Sequence, residues 1–200
     1  MITTDSIGIG QDWQRKFCLR DHSQKWLDRA CAFYALQCDV SRDIVEAGGA
    51  IEPLCTLMKF DIAEKSKPPE LFTISMACGS SQDKAKTAAL VKTAVQDEQP
   101  DFAFTTCEAW CAKVDDVDDI PDVPVSELPD REEICVVQMS CRMYGYPLAV
   151  TALAKITRSD NVSVEPFSKA NVAITTLGHS QGMPSYDRYS ECWENLRILE

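Results

Sequence analysis

The stretch that decides the fold is residues 134–158, ICVVQMSCRMYGYPLAVTALAKITR. From Cys135 to Met143 every odd-numbered residue is apolar, whereas positions 138, 140 and 142 carry Gln, Ser and Arg. Successive side chains of a β-strand point to opposite faces, so this period of two predicts a strand over 134–144 with one face in a core. Gly-Tyr-Pro at 145–147 predicts a turn, and 148–158 then forms the returning strand of an antiparallel hairpin.

Three further strands are predicted upstream of this hairpin, at 54–62, 71–78 and 102–114. In the first of them, apolar residues up to Ile62 alternate with polar ones, which predicts that Ile62 faces the core. The turn-rich segment EKSKPPE joins the first two strands into a second hairpin. A helix over about 82–97, capped by Ser80 or Ser81, is long enough to cross over from the second strand to the third.

Helices are predicted at the two ends of the chain. Residues 11–46 contain neither glycine nor proline, and their aromatic residues recur at intervals of three and four, as in amphipathic helices. The segment Ala47-Gly48-Gly49 ends this region. Short strands near 162–166 and 170–176 are expected before a C-terminal helix.

Together these elements predict a single α+β domain over residues 1–200. Its parts are a helical segment at 11–46, a sheet core at 50–176 and a tail at 178–200. Hairpin-length connections favour one largely antiparallel mixed sheet of about five to six strands. The N-terminal helices, one crossover helix and a C-terminal helix are expected to pack on one face of that sheet.

Composition excludes several classes of function. The formal net charge is −11 and the calculated pI is 4.7, which argues against a nucleic-acid partner bound by phosphate neutralisation. No run of 18 apolar residues is present, so we expect no membrane interaction. The opening MITTDSIGIG has neither the charged nor the apolar part of an export signal, which favours a cytoplasmic location.

Ten cysteines could form disulfides or bind a metal, and their spacing bears on both. With no export signal, and with the cysteines inside periodic apolar segments, we expect reduced thiols that act as small hydrophobic side chains. Cys107 and Cys111 would stand about 13 Å apart along a strand, which is too far for one zinc ion. No Cys-x-x-Cys occurs, so neither a metal nor a cofactor is expected.

One region carries a resemblance to other proteins. A strand with Glu108-Ala109-Trp110 is followed by Ser126-Glu127-Leu128-Pro129-Asp130-Arg131-Glu132-Glu133 and a hairpin. This layout resembles uncharacterised small proteins of bacteria, archaea and phages that share an EAW strand and an S-E-x-P-D-R-x-E turn. The resemblance implies a fold class and no activity. The residues themselves suggest that Pro129 shapes a turn and that Arg131 pairs with Glu108 or Glu133 on neighbouring strands.

The segment Gly178-His179-Ser180-Gln181-Gly182 has the form of a nucleophile elbow, which would make the protein a serine hydrolase acting through Ser180. In that fold the acid and the histidine of the triad follow the serine, yet no histidine follows Ser180. The predicted sheet also has few parallel strands. We therefore expect a glycine-rich turn here and keep the hydrolase as an alternative.

Two further segments could contact a partner. The aspartates Asp115, Asp116, Asp118 and Asp119 are expected to form a solvated loop, or else an acidic patch that binds a basic protein or mimics DNA. In the tail, Tyr186, Tyr189, Trp193 and Leu196 lie at helical spacing. Such a stripe is expected to pack on its own core, with a partner or self-association as the alternative.

The sequence thus favours a binding or accessory module that acts through protein–protein contacts over an enzyme. The alternatives are the serine hydrolase and an acidic inhibitor or DNA mimic. The candidate binding residues are Asp115, Asp116, Asp118, Asp119, Trp110, Arg131, Tyr186, Tyr189 and Trp193.

Overall fold

The computed structural model describes residues 21–112, 123–159, 162–168, 171–174, 193 and 195–199. These residues form an α+β fold in which two α-helices pack on one sheet. The elements are α1 Asp21–Glu46, β1 Leu54–Lys59, β2 Glu70–Ser75, α2 Ser81–Glu98, β3 Phe102–Cys111, a short 3-10 helix Val125–Glu127, β4 Glu132–Met143, β5 Tyr146–Thr157, β6 Ser163–Val164, β7 Asn171–Ile174 and β8 Ile198–Leu199.

The β4–β5 hairpin is the longest pairing in the sheet, with Glu133 opposite Ile156 at one end and Met143 opposite Tyr146 at the other. The predicted alternation is confirmed, because the odd-numbered side chains of β4 from Cys135 to Met143 all lie in a buried core. The turn lies one residue earlier than predicted. Tyr144 and Gly145 form it with φ angles of 49° and 85°, since left-handed conformations at both positions match the twist of a two-residue hairpin.

The strands follow the order β2-β1-β3-β4-β5-β6, with β7 beside β5 and β8 beside β4. Within the described residues all strand pairings are antiparallel except β4 with β8, so the prediction of a largely antiparallel mixed sheet is confirmed. The strand β8 was not predicted. β3 pairs with β4 only as far as Cys141, and β8 fills the remaining edge opposite Arg142 and Met143. The predicted C-terminal helix therefore does not extend to Ile198–Leu199, and residues 178–192 lie outside the described residues.

The two helices cover opposite faces of the sheet, which corrects the prediction that they share one face. α1 packs on the face that carries Met58 and Phe104, whereas Val91 and Val95 of α2 pack with Cys55, Leu57 and Ala103 on the other. The reason is that β1 and β3 are apolar on both faces. A strand buried on both sides needs a cover on each.

The end of α1 and the start of α2 are each explained by the residues at that position. α1 ends before Gly48, whose φ of +82° suits glycine because it has no Cβ. Ser80 caps α2 as predicted, because its hydroxyl accepts a hydrogen bond from the Asp83 N–H at 3.1 Å. α2 links β2 to β3, which both pair with β1 and run parallel to each other, so the predicted crossover is confirmed. Residues 11–20 of the predicted helical segment lie outside the described residues.

An ion-pair cluster ties the end of α1 to the sheet, and its cation is not the one predicted. Arg158 lies 2.8 Å from a carboxylate oxygen of Glu108 and 3.0 Å from one of Glu133. It also donates to the Gly49 carbonyl at 3.3 Å, while Glu108 accepts from the Ile51 N–H at 2.8 Å. The prediction that Arg131 pairs with these glutamates is wrong. Arg158 reaches them because β5 lies directly beside β4.

We expect Arg158→Gln to lower the free energy of unfolding by about 1–3 kcal/mol, because two half-buried carboxylates lose their shared cation. Arg131→Gln removes the same charge from an exposed position and should cost less than about 1 kcal/mol. Urea unfolding of the two variants beside the native chain measures the difference. Equal losses of unfolding free energy in the two variants would contradict this role of Arg158.

Candidate functional site

Trp110 and Arg131, two of the candidate binding residues, contact each other, a contact that was not predicted from the sequence. The Arg131 guanidinium lies 4.9 Å from the centre of the Trp110 ring, and its Nη1 donates to the Leu128 carbonyl at 3.0 Å. Trp110 is 45% exposed. The contact is an exposed cation–π pair at the end of β3. The neighbouring candidates Asp115, Asp116, Asp118 and Asp119 lie outside the described residues.

Of the candidate residues in the tail, the structure describes Trp193 and not the two tyrosines. Trp193 is only 3% exposed and packs with Val91, Val95 and Leu196 in the core beneath α2. The expectation that the aromatic stripe packs on its own core is met at Trp193 and Leu196. Tyr186, Tyr189 and the segment 178–182 with Ser180 lie outside the described residues.

An open cleft of about 640 Å³ lies where the first turns of α1 meet the loop between β1 and β2. We call it the cationic cleft, and the described side chains that line it are His22, Lys25, Trp26, Arg29, Lys65 and Ser66. Three of these side chains are lysine or arginine, and none is a carboxylate. The helix supplies most of them, because residues 22, 25, 26 and 29 follow one face at intervals of three and four.

Aromatic packing holds the floor of the cleft. The Trp26 ring stacks on Phe60, with centres 5.3 Å apart and an angle of 10° between the planes. His22 meets the same ring edge-on at 5.3 Å. The Arg197 guanidinium lies 5.8 Å from the centre of the Trp26 ring. Trp26 is therefore fixed between the core and the cleft.

A smaller pocket of about 150 Å³ shares His22 and Trp26 with the cationic cleft and adds Asp101 and Arg197. Ile62 also lines it and is 64% exposed, so the prediction that Ile62 faces the core is wrong. The strand β1 ends at Lys59, and the chain has left the sheet before it reaches Ile62.

Asp101 and Arg197 form a buried ion pair at the base of this pocket. Asp101 is 1% exposed, accepts from the Phe60 N–H at 2.7 Å and is hydrogen-bonded by Arg197, which also donates to the Phe60 carbonyl at 2.6 Å. Burial raises the pKa of the Asp101 carboxyl, while these donors act in the opposite direction. The buried Nε of Arg197 has no hydrogen-bond partner within the described part of the chain.

The described side chains that line the cleft carry positive charge, whereas the net charge of the whole chain is negative. Its one nearby buried carboxylate, Asp101, is committed to Arg197. Arg29 donates to the Lys67 carbonyl at 3.2 Å, which leaves most of its N–H groups for other acceptors. Such a set of donors can hold a carboxylate or a phosphoryl group. This site is not evident from the sequence, because Lys65 lies in a turn forty residues from Lys25 and the spacing of residues within α1 is the only local signal.

The buried thiols Cys31, Cys38 and Cys135 are unsuited to nucleophilic chemistry. The eight cysteines among the described residues are reduced, as predicted, and Cys18 and Cys192 lie outside them. Burial raises the pKa of Cys31, Cys38 and Cys135 to about 12. At neutral pH these thiols are protonated, and the thiolate is the reactive form.

Across the described ranges, no three His, Cys, Asp or Glu side chains are grouped to hold a metal ion. Neither of the two described α-helices has the length and apolar character needed to cross a bilayer. The cationic cleft is therefore the arrangement of described side chains with the clearest capacity to bind a ligand.

We expect all ten thiols to react with a disulfide reagent in denaturant. In the native chain at pH 8, five of the described cysteines are buried and should react only as the protein opens: Cys31, Cys38, Cys55, Cys135 and Cys141. A time course of thiol titration with and without denaturant checks this. Rapid reaction of more than five native thiols would contradict the burial.

Arg197→Gln should destabilise the fold by about 3–5 kcal/mol at pH 8, because a buried carboxylate then has no cation. The pKa of Asp101 would rise further, so the folded variant keeps a proton that the unfolded chain releases, and its stability falls as pH rises above the ordinary carboxyl range. The deficit against the native chain should therefore be smaller at pH 4.5 than at pH 8.

The control for this prediction is Arg197→Gln combined with Asp101→Asn. It removes the titrating carboxyl, so in urea unfolding it should lose less stability than the single variant does between pH 4.5 and pH 8. A deficit for the single variant that does not change with pH would contradict the role of Asp101.

Comparison with models of protein families, with curated proteins and with solved structures finds no match to this chain. Fold and site geometry are therefore the grounds on which a function is inferred.

Proposed function

We propose that the protein is a non-catalytic binding module whose cationic cleft receives an acidic segment of a partner protein. The observation that carries the proposal is the lining of this cleft of about 640 Å³: among its described side chains, Lys25, Arg29 and Lys65 are positive and none is a carboxylate, in a chain of net charge −11. Lysine and arginine placed together repel one another unless an anion lies between them.

The open shape of the cleft favours a macromolecular partner. Sites for small molecules usually enclose most of their ligand, whereas Lys25, Arg29 and Lys65 are all exposed. Exposed cations reach the side chains of a partner's surface with little loss of their own hydration. Trp26 beneath them adds a rigid wall that limits how deep an acidic side chain can enter.

The overall charge also shapes the binding. A net charge of −11 repels acidic partners at long range, so attraction begins only near the cleft. Binding should therefore be modest in affinity, with selection by short-range contacts. Salt will weaken those contacts, because the charges are open to solvent.

The raised pKa values of the buried thiols Cys31, Cys38 and Cys135 keep these three groups in their protonated, unreactive form at neutral pH. The serine hydrolase acting through Ser180, and the acidic patch as a DNA mimic, rest on residues outside the described part of the chain. Both remain predictions from sequence.

The test uses a fluorescent octaglutamate peptide as the acidic probe, with inorganic phosphate as a competitor. Lys25→Glu combined with Lys65→Glu should weaken peptide binding at least about tenfold, because two attractive contacts become repulsive. The matched control is Lys84→Glu with Lys86→Glu, which makes the same change of charge at exposed positions of α2. Fluorescence anisotropy in low and moderate salt measures both.

Retained binding in the control and loss in the cleft variant would support the proposal. Equal losses of peptide binding in the two variants would mean that the overall charge of the chain determines binding, and the proposal would then fail. Competition by phosphate at concentrations comparable to the glutamate groups would identify the phosphoryl group, rather than an acidic peptide, as the preferred anion.

A further inference from the structure

The face of α1 that points away from the sheet has an unusual order of side chains. Along it lie Arg29, Ala32, Leu36, Val40 and Asp43, at intervals of three and four residues. At 100° per residue these five positions fall within about 80° of arc around the helix. All five are exposed, and Leu36 and Val40 are 48% and 43% exposed. We call this set the outer face of α1.

The residues of the outer face lie at equal distances on either side of Leu36, and its two ends carry opposite charges. Ala32 and Val40 each lie four residues from Leu36, on opposite sides. Arg29 and Asp43 each lie seven residues from it, which is about 10 Å along the helix. One end of the face is thus basic, the centre apolar and the other end acidic.

We propose that two copies of this chain associate through the outer faces of α1, with the helices antiparallel and a two-fold axis passing beside Leu36. In this arrangement Leu36 meets Leu36 of the partner subunit, and Ala32 meets Val40 of the partner subunit. Arg29 lies against Asp43 of the partner subunit, and the symmetry forms this pair twice. Small and branched side chains at the centre allow the axes to approach within 8–10 Å, as packed helices do.

The charges select the antiparallel arrangement over the parallel one. Parallel helices would place Arg29 against its own copy and Asp43 against its own copy, which is repulsive at both ends. Within the described residues, Asp43 forms no ion pair, and Arg29 is engaged only by one hydrogen bond to the Lys67 carbonyl at 3.2 Å. Both side chains therefore remain available to a second copy.

The size of the face sets the strength of the association. Arg29 and Asp43 are fourteen residues apart, or about 21 Å, so the contact is a single pair of helices. The contact area of one helix pair is near the small end of the range for specific interfaces. We therefore expect a dimer present at about 100 μM to dissociate on dilution to about 1 μM.

Sedimentation velocity of the full chain, with charge reversals at the two ends, tests the arrangement. Arg29→Asp alone and Asp43→Arg alone should each raise the dimer dissociation constant at least about tenfold, because like charges then face each other twice. An equimolar mixture of these two variants should dimerise like the native chain, since each copy supplies the charge that the other lacks. Circular dichroism and thermal unfolding verify that each variant is folded.

Leu36→Asp gives a second, independent test, because it places two carboxylates at the axis. It should leave the chain monomeric, whereas the control Leu90→Asp, at a 54% exposed position on α2, should leave dimerisation unchanged. A native chain that is monomeric at 100 μM would overturn the proposal, whether the face is covered by another part of the chain or by another protein. So would a variant mixture that stays monomeric, or a dimer that Leu36→Asp does not disrupt. Mass is the readout, so the result does not depend on anion binding by the cationic cleft.

Discussion

Burial of β1 and β3 on both faces is the constraint on which the rest of the structure depends. Cys55 and Leu57 point to one side of β1 and Met58 to the other, so neither face of the sheet can remain open there. Two helices must cover the sheet from opposite sides, and the crossover between β2 and β3 supplies the second of them. Because α1 is then held against the face of Phe102 and Phe104, its first turns project beyond β1 and form a wall of the cationic cleft.

Patterns within a strand could be predicted from the sequence, and contacts between distant strands could not. Alternation identified β4 and β5, and a serine cap identified the start of α2. The same alternation does not say which cation reaches Glu108 and Glu133, because that depends on which strand lies next to β4. Arg131 is close to them in the chain, but Arg158 is close to them in space.

The arrangement of the helices and the cationic cleft could not be predicted either, because both depend on contacts between distant parts of the chain. The prediction that the helices share one face of the sheet assumed that the other face of β1 is polar, although Cys55 and Leu57 on that face are apolar. The cleft combines α1 with a turn that sequence analysis treated only as a connection between strands. Lysines in such a turn look like ordinary solvated charges until the fold places them beside Lys25 and Arg29.

The segment from Trp193 to Leu199 passes from one side of the sheet to the other. Trp193 and Leu196 belong to the core under α2, whereas Leu199 belongs to the core under α1, and Arg197 between them holds Asp101. This short segment therefore couples the two cores, and we expect loosening on one face of the sheet to be transmitted to the other.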